Sequence, residues 1–109
     1  MNNFWTLPHP LPAQELFEPL IETPGLLVER IVSAGQVTPA GQWYDQARDE
    51  WVLLAQGQAT LEYEGGRLLA LNAGDSVLIP AHQRHRVVFT SREPPCIWLA
   101  IHGQLTPRP

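Results

Sequence analysis

The stretch WVLLAQGQATLEYEGGRLLALNAGDSVLIP, residues 51–80, decides the fold. Trp51-Val52-Leu53-Leu54-Ala55 is a short, continuous apolar run, which predicts a strand buried on both faces. After Gly57, Ala59, Leu61 and Tyr63 alternate with Thr60, Glu62 and Glu64, the period-two pattern of a half-buried strand. Gly65-Gly66 tolerates the positive φ that a tight hairpin turn needs. Arg67 to Leu71 returns, Asn72-Ala73-Gly74-Asp75 turns the chain again, and Ser76 to Ile79 runs on to Pro80.

Outward from this stretch the punctuation continues. Leu26 to Val32 reads as a strand set off by Pro24-Gly25 and Gly35, and Arg86 to Thr90 and Cys96 to His102 read as two more, divided by Pro94-Pro95. About eight strands at 8–12-residue spacing, with no long helix, describe an all-β antiparallel sandwich or small barrel. Eleven prolines and eight glycines fit short strands and many turns. A length of 109 residues suits one domain, spanning 1–109. Residues 1–24 carry Pro8, Pro10 and Pro12 and predict an extended arm, with one helical turn over Ala13 to Phe17 stopped by Pro19. The barrel is expected over 25–103 and a frayed tail over 104–109.

Composition narrows the function. Hydrophobic residues are 44% of the chain and charged residues 17%, enough for one packed core. The net charge is −4 and no basic stripe exists, so a nucleic-acid partner is not expected. Cys96 is the only cysteine, which excludes an internal disulfide and a cysteine zinc cage and suits a small buried hydrophobe. The start MNNFWTLPHPLP has no basic and apolar leader pattern, and the apolar run from Cys96 to Ile101 is far short of the roughly 20 residues of a membrane helix. A soluble cytoplasmic protein with no membrane partner is the expectation. Neither a Gly-x-Ser-x-Gly elbow nor a phosphate-cradling glycine loop occurs.

Two spacings carry the chemistry. Glu50 is followed by six residues and Gly57, and Gly74 is followed by five residues, Pro80-Ala81-His82, two residues and His85. These resemble the two motifs of the cupins, where a His-x-His pair precedes the glutamate and a glycine stands in place of His82. Counting four residues back from Glu50 puts Trp43 and Asp45 at the histidine pair; counting three puts Tyr44 and Gln46 there. Gly35, the candidate opening glycine, lies seven residues before Trp43 rather than five.

The resemblance, over roughly residues 26 to 102, implies a cupin-type double-stranded β-helix, a jelly-roll barrel of antiparallel strands, built as a homodimer. It also implies a divalent transition metal (Mn, Fe, Ni or Zn) on Asp45, Glu50 and His85. Two oxygens and one nitrogen suit borderline or hard ions, and three ligands leave room for substrate. Tyr44 and His102 are the candidates to move a proton, and His82 or His102 could add a fourth ligand. Trp43 cannot ligate and is expected as an apolar pocket wall. Trp51 and Trp98 are expected in the core or on an outer face that pairs with a second subunit. Arg48 and Asp49 read as a solvated loop. The partner is a small organic molecule, either transformed by oxygenation, isomerisation or lyase chemistry, or simply bound by a metal-free module; the alternative without a ligand is a barrel that serves only as a dimerisation module.

Overall fold

The computed structural model describes residues 3–107. Eight strands follow one another: β1 Leu16–Thr23, β2 Leu26–Ser33, β3 Asp49–Gln56, β4 Gln58–Tyr63, β5 Leu68–Asn72, β6 Ser76–Ile79, β7 His85–Thr90 and β8 Cys96–Gly103. They form a five-stranded sheet in the order β1-β2-β8-β3-β6 and a three-stranded sheet in the order β5-β4-β7. Each pair of neighbouring strands runs antiparallel, from β1 against β2 to β4 against β7. This is an all-β jelly roll of two antiparallel sheets, the architecture that the cupin resemblance implies.

The chain changes sheets where its punctuation residues lie. Between β3 and β4 only Gly57 intervenes, at a φ of +94°. A Cβ on Gly57 would come within 2.8 Å of Ser91 Oγ and 3.0 Å of the Cys96 Cα, so both the backbone angle and the close approach demand glycine. The Gly74 amide donates to the Leu54 carbonyl at 2.7 Å and holds the next corner. Pro80 ends β6 before the chain crosses back to β7.

The core fills the space between the sheets. Val52 and Leu54 of β3, Ala59 and Leu61 of β4, Leu71, Ile79, Cys96 and Trp98 form one buried cluster. Ile31, Leu69, Val77 and Val87 pack against it. Burying side chains such as Leu54 contributes about 2 kcal/mol each against leaving them in water.

Four expectations change here. Residues 16–23, assigned to the arm and in part to a helical turn, form β1 instead. Pro19 is tolerated because β1 is an edge strand, and the ladder shifts register between Pro19 and Ile21. Trp51 and Leu53 are only half-buried, so β3 alternates rather than being buried on both faces. Trp98 faces the core, opposite Leu54, whereas Trp51 lies opposite Ile101 and faces out, so the two tryptophans do not share an outer face. Asp49 is buried rather than solvated.

Candidate functional site

Inward-facing rows on four strands end in ionisable groups at one end of the barrel. Glu50 begins the row Glu50, Val52, Leu54 on β3, and its register partner on β8 is His102, which ends the row Trp98, Ala100, His102. Glu29 on β2 pairs with Ala100 and so lies diagonally across from His102. His85 opens β7 on the other sheet. Glu29, Glu50, His85 and His102 are all buried, each at 9% exposure or less. They share a cavity of about 150 Å³ with apolar walls from Phe17, Ile31, Val52, Leu61, Val87 and Trp98.

The loop between β2 and β3 completes the mouth. Tyr44 makes an antiparallel bridge with His85, its amide donating to the His85 carbonyl at 2.8 Å. Bridged residues point to the same side of a sheet, so the Tyr44 ring stacks on the His85 imidazole with centroids 5.6 Å apart. Gln46, two residues on, enters the same cavity. Burial above all, then the Glu15 and Glu50 carboxylates, pushes the Tyr44 phenol up from its ordinary value and keeps it a proton donor.

The alternation that turns Tyr44 and Gln46 inward turns their neighbours out. Asp45 does not join Glu50 and His85. It is half-exposed and pairs with the exposed His82, Oδ1 to Nδ1 at 2.8 Å, on the outside of the mouth. Trp43 is no pocket wall either; its ring lies 5.7 Å from the Arg84 guanidinium and 5.6 Å from that of Arg86. His82 stays outside the cavity, at a positive φ of 63°. Of the five site candidates, the fold brings Tyr44, Glu50, His85 and His102 together.

The four buried groups are arranged around Glu50. His85 Nδ1 donates to the Gln83 carbonyl at 2.8 Å, which leaves Nε2 facing Glu50 Oε1 at 3.6 Å. Burial opposes charge on this imidazole, but the Glu50 carboxylate and the Gln83 carbonyl outweigh it and hold the His85 pKa above the ordinary histidine value. His102 Nε2 stands 3.8 Å from Glu50 Oε2 and 3.0 Å from Glu29 Oε1, while its Nδ1 faces Gln46 Oε1 at 3.2 Å. His102 thus has the Gln46 amide oxygen against one ring nitrogen and the Glu29 carboxylate against the other. Glu15 enters the same cavity and accepts from the Ser33 hydroxyl. Burial pushes the Glu15 carboxyl up, the Ser33 hydroxyl pulls it down, and Glu29 adds to the rise.

The donor types suit a borderline divalent ion. Their present spacing does not: among the described residues no group of three or more His, Cys, Asp or Glu is placed to hold one. Tyr44 and Gln46 occupy the two places where the cupin pattern has histidines, and neither is a strong ligand.

A barrel of two antiparallel sheets, with a small hollow at one end gathering carboxylates and imidazoles from both, places the protein among β-barrels whose architecture is compatible with a small-molecule ligand. The chain belongs to the cupin family: the Cupin domain matches residues 30–102. No curated protein sequence matches the chain. Among solved structures, a "putative mannose-6-phosphate isomerase" from Ralstonia eutropha JMP134 is 42% identical, with 95% of this chain and 97% of that one covered and a TM-score of 0.88. A cupin superfamily protein from Desulfitobacterium hafniense DCB-2 shares 18% identity over 90% of this chain and 94% of that one, at a TM-score of 0.71. A protein from Thermus thermophilus shares 17% identity over 100% of this chain and 98% of that one, at a TM-score of 0.75. These last two speak for the fold alone. No helix among the described residues is long and apolar enough to cross a membrane.

Proposed function

We propose that the barrel mouth binds a small organic molecule and that Glu50, flanked by His85 and His102, moves a proton on it. The observation that carries this reading is the placement of the Glu50 carboxylate. It is buried at the base of an apolar-walled cavity and faces two imidazole nitrogens at 3.6 and 3.8 Å, both too long for a hydrogen bond. A buried carboxylate that its neighbours do not fully engage is free to bond to a ligand, and an imidazole on either side can supply or take up the proton. Tyr44 and Gln46 at the mouth then donate to and orient the ligand's oxygens. An isomerisation of a hydroxy-carbonyl compound is the reaction class most like the name given to the Ralstonia relative.

The test is a thermal-shift screen of small hydroxy-carbonyl compounds, followed by incubation of each binder in deuterium oxide. Loss of the C–H signal next to the carbonyl is expected with the natural chain, and Glu50→Gln is expected to bind but not to exchange. Exchange of undiminished rate in Glu50→Gln, or the absence of any stabilising compound, refutes the reading.

A second reading is supported by the donor types rather than by their present spacing. Glu50, His85 and His102 would draw together on a divalent ion (Mn, Fe, Ni or Zn) in place of the set that included Asp45. When bound, such an ion would polarise a ligand's carbonyl oxygen. Elemental analysis of untagged protein separates the two: about one equivalent of metal, lost in Glu50→Gln and accompanied by metal-dependent stabilisation, selects the ion. The homodimer is a proposal of its own, supported by the half-buried Trp51, Leu99 and Ile101 and the exposed Leu78 on the outer face of the larger sheet. Sedimentation on dilution tests it.

A further inference from the structure

We propose that the cavity selects ligands by charge: it takes a ring-sized molecule rich in hydroxyl or ammonium donors and excludes phosphorylated and carboxylated ones. The inference rests on the reading that this cavity is the ligand site, and it goes further by naming the ligand class.

The chain has seven basic residues, all of them arginine. None of the described ones lines the cavity. Arg30 points to the outside of β2, where its guanidinium bonds Glu18 and donates to the Phe4 and Thr6 carbonyls at 2.8 and 2.6 Å. Arg84 is paired with Glu64, and Arg86 with Glu62 at 2.7 Å. Arg67 lies over the Tyr63 ring at 4.4 Å. Arg92 packs against Gly35, and Arg48 lines a separate cleft beside Asp49. Arg108 lies outside the described residues.

Against this, Glu15, Glu29 and Glu50 all line the cavity. The cavity side chains able to carry positive charge are His85 and His102, and each already faces a carboxylate, Glu50 at 3.6 Å and Glu29 at 3.0 Å. A phosphate or carboxylate placed there would lose its water and meet like charge without a guanidinium fork or an ammonium to receive it. The fold also has no helix whose N-terminus could stand in for a cation among the described residues. Three acidic side chains with the Gln46 amide oxygen offer acceptors instead, which match a ligand that donates. The apolar walls leave room for one flat or puckered ring. A cavity near 150 Å³ is the size that holds a benzene-sized molecule. An unphosphorylated sugar-like polyol and its amino analogue share the required chemistry.

Four probes test the proposal: mannose, glucosamine, mannose 6-phosphate and gluconate, the last an anion close to mannose in size that separates charge from bulk. Each is titrated to about 50 mM into isotope-labelled protein, and the amides of Val52, Leu61 and Val87 are followed by NMR. Mannose or glucosamine is expected to shift these amides with at least about tenfold tighter apparent binding than either anion. Preference between the first two says whether hydroxyl or ammonium is the donor. In Glu15→Gln the discrimination against mannose 6-phosphate should shrink severalfold. Equal or tighter binding of an anion at these amides overturns the proposal, as does a cavity that none of the four enters. Failure of the proton-transfer reading would show differently, as intact charge preference with no deuterium exchange.

Discussion

The two ends of the barrel are built on the same strands and follow opposite rules. At one end, Leu54 of β3 faces Trp98 of β8 and is packed dry with Leu71 and Cys96, while Trp98, Leu61 and Ile79 carry the same cluster up to the cavity wall. At the other, four residues along each strand, Glu50 faces His102, and both are buried with Glu29 and His85. Apolar side chains at the first end gain from leaving water. Ionisable side chains at the second lose hydration, and their mutual attraction only partly restores it. Packing therefore explains the first end, and stability does not explain the second. A protein keeps such a cluster where its chemistry is needed, at a cost the dry end must offset.

The largest expected effect breaks the dry end. Leu54 is fully buried, and Leu54→Ala should destabilise the fold by about 2–5 kcal/mol, with a fall of roughly 10 °C or more in the thermal midpoint. A loss under about 1 kcal/mol would mean that the core can collapse around the gap, and that its packing is not what holds the sheets together. The wet end should respond with the opposite sign when it is removed as a unit. His102→Leu alone strands the Glu29 carboxylate and should destabilise, whereas Glu29→Met with His102→Leu should bring stability to or above the parent by about 1–4 kcal/mol while ligand binding is lost. A double-mutant cycle in denaturant measures the coupling. A double variant as unstable as His102→Leu would show that the pair is structural and would erase the contrast between the ends.

How much of this could be read from residues alone depends on which structural question is asked. Alternation in residues 59–64, the glycine pair at 65–66 and the prolines between runs mark strands and corners directly, and seven of the eight strands follow from them. β1 was hidden by Pro19 and by its edge position, where six of its eight residues are exposed and show no inward alternation. Alternation gives two faces but not which one is inside. Trp43-x-Asp45 and Tyr44-x-Gln46 are equally good pairs until the Tyr44–His85 bridge fixes the phase. Glu29 left no signal for the same reason: the rows Leu27, Glu29, Ile31 and Val28, Arg30, Val32 each carry one charge among apolar residues. Only pairing with β8 shows that Glu29 turns toward the cavity and Arg30 away. His85, in contrast, was legible because its spacing from Gly74 and Pro80 encodes a corner and a strand start.

The smallest expected effects sharpen the comparison on the polar side, between two aspartates four positions apart. Asp49 accepts from the Ala81 amide at 2.8 Å through Oδ1, and through Oδ2 from the Leu105 amide at 2.9 Å and the Thr106 amide and hydroxyl at 3.0 and 2.9 Å. The Ala81 amide first, then the Leu105 amide and the Thr106 groups, hold its carboxyl below the ordinary aspartate value. A depressed folded pKa stabilises at pH values above the unfolded value, near 3.9, and that contribution disappears as the pH falls through the folded one. Asp49→Asn presents an amide donor to groups that already donate, so the midpoint at neutral pH should drop by roughly 5 °C, and the variant should lose less further stability than its parent on acidification below about pH 4. Among the described residues Asp45 has only the exposed His82 as partner, and exposed pairs contribute at most about 1 kcal/mol, so Asp45→Asn should barely move the midpoint. Thermal melts of both variants at neutral and acid pH decide the matter. If Asp45→Asn costs more than Asp49→Asn, the loop runs in the other phase, Asp45 belongs in the cavity, and the cluster around Glu50 must be redrawn.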